Sequence, residues 1–241
     1  MASQDAVEWL ATCEEEMQTW KDLDVYDVVP RPKGRKVIGS KWVFCVKQGP
    51  DGLIQKYKAQ IVAQGFTQVE GIDFDQTFAP VAKFSSLCTV FALAAKHNLE
   101  LHQMDVKAAY LNADLKEDLY MEPPPSFEVP EGHILKLKKG VYGIKQGGRI
   151  WYEDMQGTLS ELGYMRMEAD HAVFVHPSDS IPNIITLYVD NIGLISESLE
   201  CILQDKEALN HFYQMTDLSE MGWILGIRIT WDCEKGMLTL S

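Results

Sequence analysis

Asp190 stands between two apolar runs, Ile184-Ile185-Thr186-Leu187 and Ile192-Gly193-Leu194-Ile195, within the string Tyr188-Val189-Asp190-Asn191. That pattern predicts two strands joined by a tight turn with an acid at its tip. A second acid, Asp105, closes a predicted strand over 99–106. Carboxylates at the ends of adjacent strands, far apart in sequence, suit phosphoryl transfer assisted by two Mg²⁺ ions about 3.5–4 Å apart. Mg²⁺ keeps several waters and takes only a few carboxylates beside substrate phosphates, so two or three such acids suffice. Each acid also has a plainer reading: Asp190 as a polar turn, and Asp105 as the N-cap of a short helix over 107–111.

The elements that must hold these acids follow from periodicity and turn signals. Residues 6–20 read as a helix with an acidic face at Glu14, Glu15 and Glu16. Segments 25–30 and 37–46 read as strands, and Gly49-Pro50-Asp51-Gly52 as a turn returning the chain along 55–64, a basic two-stranded ribbon. Residues 85–98 are apolar nearly all round, a buried helix with a serine cap. Further helices are expected over 150–162, stopped by Gly163, and over 199–214, with strands over 172–176, 184–190, 192–195 and 223–231. Pro123-Pro124-Pro125 marks a loop. There is no internal repeat and no long linker, and the mixed order with antiparallel pairing reads as α+β.

At 241 residues, 46% hydrophobic and 24% charged, the composition is that of an ordinary globular protein long enough to bury a core. No apolar run approaches a membrane span, and the first residues lack the basic and apolar regions of a signal peptide. Cys13, Cys45, Cys88, Cys201 and Cys233 show no CxxC spacing and read as free thiols of a reducing compartment, hence an intracellular chain, cytoplasmic or nuclear. His171 and His176, five apart in a predicted strand, face opposite ways and do not make a metal pair. The net charge of −13 argues against indiscriminate nucleic-acid binding. The charge is unevenly spread: residues 31–58 carry eight Lys/Arg and one acid, and residues 134–151 carry Lys136, Lys138, Lys139, Lys145 and Arg149 with no acid. Such patches fit a phosphate backbone held along one groove, or ordinary solvated faces.

Seven strings in order resemble the reverse-transcriptase domain of Ty1/copia-type retrotransposons. They are Ser40-Lys41-Trp42-Val43-Phe44; Tyr57 to Gln68, read YKAQIVAQGFTQ; Thr77-Phe78-Ala79-Pro80-Val81-Ala82; His102 to Asn112, read HQMDVKAAYLN; Val141-Tyr142-Gly143-Ile144-Lys145-Gln146; Tyr188-Val189-Asp190-Asn191; and Leu225-Gly226-Ile227. The resemblance covers about residues 20–231. It implies a right-hand polymerase with an antiparallel palm sheet packed on helices and a YxDD-type hairpin. The fingers would fall at about 1–85 and 113–147 and the palm at 86–112 and 148–231, without integrase, protease or RNase H. It implies RNA-directed DNA synthesis with two Mg²⁺ ions, or Mn²⁺, on Asp105, Asp190 and position 191. The partners implied are an RNA or DNA template with primer, dNTPs and other parts of a retrotransposon polyprotein, with no membrane. Tyr110 would crowd the sugar and exclude a 2′-hydroxyl, while Gln146 and Lys58, with Lys56, would hold the nucleotide. Lys41, Lys145, Arg149, Leu225 and Gly226 would hold nucleic acid and primer. A core tyrosine is the plainer reading of Tyr110.

Three positions depart from the family pattern. Asn191 replaces the second hairpin aspartate, Gln60 and Gln64 stand where arginines are usual, and Gly147-Gly148 follows Gln146 where Ala-Ala is common. An amide oxygen can ligate a hard cation but adds no charge, so an impaired polymerase is expected. A non-catalytic polymerase-fold remnant that at most binds nucleic acid is the alternative, and an unrelated α+β phosphotransferase a third.

Overall fold

The computed structural model describes residues 5–48, 53–177, 181–232 and 236–241. The expected turn at Gly49–Gly52 and Cys233 lie outside them. In chain order the elements are helix α1 (Ala6–Asp22) and strands β1 (Tyr26–Pro30), β2 (Val37–Ile38), β3 (Ser40–Gln48) and β4 (Ile54–Ala63). Helix α2 (Phe84–His97), β5 (Glu100–Val106), β6 (Asp114–Met121), β7 (His133–Lys139) and helix α3 (Gly147–Glu161) follow. The last third holds β8 (Met165–Arg166), β9 (Val173–His176), β10 (Asn183–Tyr188), β11 (Asn191–Ser196), helix α4 (Leu199–Phe212), β12 (Met215–Glu220), β13 (Trp223–Ile224), β14 (Ile227–Asp232) and β15 (Met237–Leu240). The chain divides into two packed units, Met1–Phe78 with Tyr110–Trp151, and Ala79–Ala109 with Tyr152–Ser241.

In the first unit, β1-β7-β6-β2 form one sheet and β3-β4 a separate antiparallel ribbon. The open edge of β4 is covered by α1: Glu16 Oε1 accepts the Ile61 N–H at 3.1 Å and the Trp20 Nε1–H at 3.2 Å. An edge strand left bare would invite pairing with another chain, and a helix laid along it prevents that. Trp9 of α1 meets Phe44 and Tyr57 edge-on at 5.1 and 4.7 Å, so the aromatic face of the ribbon is also under the helix.

In the second unit a six-stranded antiparallel sheet runs β12-β5-β11-β10-β9-β8, and β13-β14-β15 form a smaller one. Helix α4 packs on β5, β11 and β12. Met104, Ile192 and Leu194 alternate onto one sheet face, and they are buried, as are Ile202 and Leu209 of α4. Burying each aliphatic side chain is worth about 1.5–3 kcal/mol. Ile184–Leu187 and Ile192–Ile195 are buried throughout, which explains why these runs do not alternate in sequence. Lys206, also buried on α4, bonds Asp217 Oδ1 at 2.7 Å and lies 2.9 Å from His102 Nδ1. Burial and the Lys206 ammonium hold His102 below its ordinary 6.5.

Several expectations are corrected. The N-cap of α2 is Lys83 and no side chain within the helix caps it. Asp170, 87 residues away, accepts the Lys83 N–H at 2.8 Å instead. The segment 223–231 is two strands, not one. His171 precedes β9 rather than lying in it, so the argument from opposite strand faces does not apply. The helix expected at 107–111 is a 3₁₀ turn at Ala109–Asn112, and Asp105 is a strand residue rather than its cap. Strands β6, β7, β8, β12 and β15 had no sequence-based expectation. No helix among the described residues is long and apolar enough to cross a membrane.

Candidate active site

β10 and β11 pair from Ile184↔Ile195 to Tyr188↔Asn191, leaving Val189-Asp190 as a two-residue turn. Val189 has φ 56° and Asp190 does not share the positive sign, the pattern of a II′ hairpin turn. Glycine is the usual residue at such a φ; a β-branched side chain there carries strain. The hairpin then pairs with β5, Asn191 opposite Asp105 and Gly193 opposite Gln103. Directly opposed residues share a face, so Asp105, Gln103 and Asn191 stand on one side of the sheet, away from Met104 and α4. The Val106 N–H donates to the Asp190 carbonyl at 2.8 Å, which ties the hairpin tip to the end of β5.

The side chains at the tip are bonded to each other. Gln103 Nε2 donates to Asn191 Oδ1 at 2.8 Å, and Asn191 Nδ2 donates to Asp190 Oδ1 at 3.1 Å. Asp190 therefore turns its carboxylate toward the face that carries Asp105. Thr216 of β12 is the register partner of Asp105 on its other side. Space beneath is close: a Cβ on Gly193 would lie 2.5 Å from Thr186 Oγ1 and 2.7 Å from Met221 Cε. The two carboxylates suit a hard cation in kind, being oxygen, while the Asn191 amide turns its nitrogen toward Asp190. The set is one negative charge short, and among the described residues no three His, Cys, Asp or Glu come together to hold a metal.

The remaining sequence-predicted residues lie in several places. On the ribbon, the register Lys41↔Val62, Val43↔Gln60, Cys45↔Lys58 and Lys47↔Lys56 puts Lys41, Lys47, Lys56, Lys58 and Gln60 on one face, opposite the aromatic face under α1. No carboxylate among the described residues is paired with those four lysines. By contrast Lys136 pairs with Asp118 at 2.7 Å, Lys138 with Asp24 at 2.5 Å and Lys139 with Asp114 at 2.9 Å, so that part of the expected basic patch is neutralised. Lys145 lies over the Phe74 ring at 4.9 Å, and Arg149 is on α3.

Gln146 is 1% exposed. Its Nε2 donates to the Asp73 carbonyl at 2.9 Å and its Oε1 accepts from Gln68 at 3.0 Å. Its amide thus holds the loop rather than facing solvent. That loop crosses β4 closely: a Cβ on Gly143 would lie 2.1 Å from the Ala63 carbonyl oxygen. Tyr110, in the 3₁₀ turn, meets Tyr142 at 4.8 Å. One of the three points at which the chain passes from one unit to the other falls between Ala109 and Tyr110. Leu225 and Gly226 both have positive φ, the type I′ turn joining β13 to β14. Gln103, Lys47 and Gln68 were missed as contributors; for Lys47 the two-residue alternation with Lys41 was the available signal.

The comparisons with known proteins agree with the seven strings. A reverse transcriptase (RNA-dependent DNA polymerase) family profile matches residues 23–241. The retrovirus-related Pol polyprotein from transposon TNT 1-94 of Nicotiana tabacum is 37% identical over 231 residues, 95% of this chain and 17% of that protein. The transposon Ty1-BL Gag-Pol polyprotein of Saccharomyces cerevisiae is 31% identical over 229 residues, 92% of this chain and 12% of that one. The chain belongs to the reverse-transcriptase family of Ty1/copia-type retrotransposons. It spans less than a fifth of the length of these curated relatives. Among solved structures, an apo telomerase from Candida tropicalis, truncated from its C-terminal domain, is similar at 10% identity and TM-score 0.45, covering 96% of this chain and 60% of that one. That likeness is too slight to carry an argument.

Proposed function

We propose that this chain is an RNA-directed DNA polymerase domain, transferring a nucleotidyl group from a dNTP to a primer 3′-hydroxyl, and that Asn191 impairs it. In this reading the fingers are about residues 1–85 and 113–147 and the palm 86–112 and 148–231. The observation that carries it is the meeting of Asp105 with Asp190-Asn191 on one sheet face, joined by the β5–β11 register and the Asn191–Asp190 bond. Asp105 and Asp190 would hold Mg²⁺, or Mn²⁺, with Asn191 beside them. Bound there, the ions supply charge compensation at the attacking and leaving oxygens. Tyr110 excludes a 2′-hydroxyl by crowding. Lys58 and Lys41, on the lysine face of the ribbon, attract phosphates as flexible point charges, and Lys145 and Arg149 extend that attraction. Gln146 serves the nucleotide pocket by holding its loop, and the Leu225-Gly226 turn holds the primer.

Primer extension on an RNA template tests this directly. The chain as written extends very weakly or not at all in Mg²⁺, and Asn191→Asp raises extension at least about tenfold, the scale of metal-shell effects. Robust extension by the unaltered chain would mean the third carboxylate is dispensable. No recovery in Asn191→Asp would move the defect elsewhere, to Gln60 and Gln64 first. A second reading, a non-catalytic remnant that at most binds nucleic acid, is favoured by one observation: the amide nitrogen of Asn191, not its oxygen, faces Asp190.

A further inference from the structure

We propose that Gln103 sets which end of the Asn191 amide faces Asp190, and that this orientation makes Asn191 an internal partner of Asp190 instead of a cation ligand. The inference rests on the metal-site reading above. Gln103 lies on β5 two residues before Asp105 and on the same face, opposite Gly193. It is 7% exposed, so its amide has few groups to bond. Thr186 and Met221 fill the space over Gly193, confining it further. Gln103 Nε2 donates to Asn191 Oδ1 at 2.8 Å. An amide whose oxygen is held on one side must turn its nitrogen to the other, and Asn191 Nδ2 accordingly donates to Asp190 Oδ1 at 3.1 Å. Two bonds in series thus run from Gln103 to Asp190.

The polarity of that series matters for a cation. An amide nitrogen presents N–H hydrogens of partial positive charge, whereas a hard cation takes oxygen. An aspartate at 191 has no wrong end: one oxygen accepts from Gln103 while the other stays available. The donor that would steady an aspartate for a cation therefore holds an asparagine with its nitrogen toward the site. Lost charge and wrong orientation are separable effects, and Gln103 controls only the second.

Mn²⁺ binding to the whole chain, followed by electron paramagnetic resonance and by thermal melting with and without Mn²⁺, reads this without catalysis. Gln103→Met removes the donor at similar length and adds no charge; it is expected to tighten Mn²⁺ binding at least about threefold. Gln103→Glu offers a carboxylate that accepts from Asn191 Nδ2 and turns Oδ1 toward Asp190. It is expected to tighten Mn²⁺ at least about tenfold and to raise the melting temperature only when Mn²⁺ is present. Asn191→Asp sets the scale, again about tenfold or more. If Asn191→Asp tightens Mn²⁺ while Gln103→Met does not, the orientation argument is overturned, whatever Gln103→Glu does by charge. If Asn191→Asp also fails to tighten Mn²⁺, the metal-site reading falls and this inference with it. Should Gln103→Glu fail to fold, Gln103→Met carries the test, since it buries no new charge.

Discussion

At the scale of single residues, the hairpin tip combines two costs. Asn191 turns the nitrogen of an uncharged amide toward Asp190, and Val189 adopts φ 56° at the turn. Left-handed backbone costs a non-glycine residue about 1–3 kcal/mol when the surroundings impose it. Asparagine tolerates that region far better than a β-branched side chain does. Val189→Asn is therefore expected to raise stability by roughly 1 kcal/mol in urea unfolding, with the β10–β11 register unchanged. A loss of stability would mean that the half-buried valine side chain contributes more packing than its backbone costs.

At the scale of elements, α1 acts on the ribbon through Glu16. Burial pushes the Glu16 carboxyl above the usual carboxylate range, against the opposing hydrogen bonds from Ile61 and Trp20 and the charge of Lys58. A raised carboxyl pKa means that the fold favours the protonated form. Its stabilising contribution is complete below the ordinary 4.5 and is lost as pH rises through the raised folded value. Glu16→Gln keeps an oxygen for the Ile61 N–H and carries no charge at any pH. Its stability relative to the unaltered chain should therefore improve as pH rises from about 4.5 to 7. Glu16→Leu leaves that N–H without its acceptor and should cost about 1–3 kcal/mol at pH 7. Equal urea midpoints for the two variants would show that the edge bond contributes nothing.

At the scale of the whole molecule, a chain of net charge −13 must bind nucleic acid, if it does, through a local face. The ribbon provides one, with Lys41, Lys47, Lys56 and Lys58 on a single side. Each phosphate contact on a single strand contributes about 0.7 to the slope of log affinity against log salt. Replacing Lys41, Lys56 and Lys58 together by alanine should lower that slope for single-stranded RNA by about 2. A slope unchanged by the triple replacement, or binding indifferent to salt, would remove the ribbon from the nucleic-acid surface. The Lys136–Lys139 stretch should contribute little to the slope, because its cations are already matched by Asp118, Asp24 and Asp114.

The sequence alone determined the family, through seven ordered strings, and most helices and strands, through periodicity and turn residues. Apolar runs on either side of Asp190 announce their hairpin because strand pairing across a two-residue turn is local physics. Whether Asp105 stands beside Asn191 is a matter of register between strands 86 residues apart (191 − 105), and nothing local encodes that. The same holds for the cap of α2, which comes from Asp170 because the N–H groups of a helix N-terminus donate to any oxygen that the tertiary fold brings to them. Strands β6 and β12 escaped notice because their charged, exposed residues blur the alternation that marks a strand; their ladders and ion pairs hold them. Charge along the chain misled for Lys136 to Lys139, since sequence counts cations while folding chooses their partners. The orientation of the Asn191 amide is the furthest from the sequence. It depends on a buried glutamine across the sheet, and only the packed structure brings the two within hydrogen-bond distance.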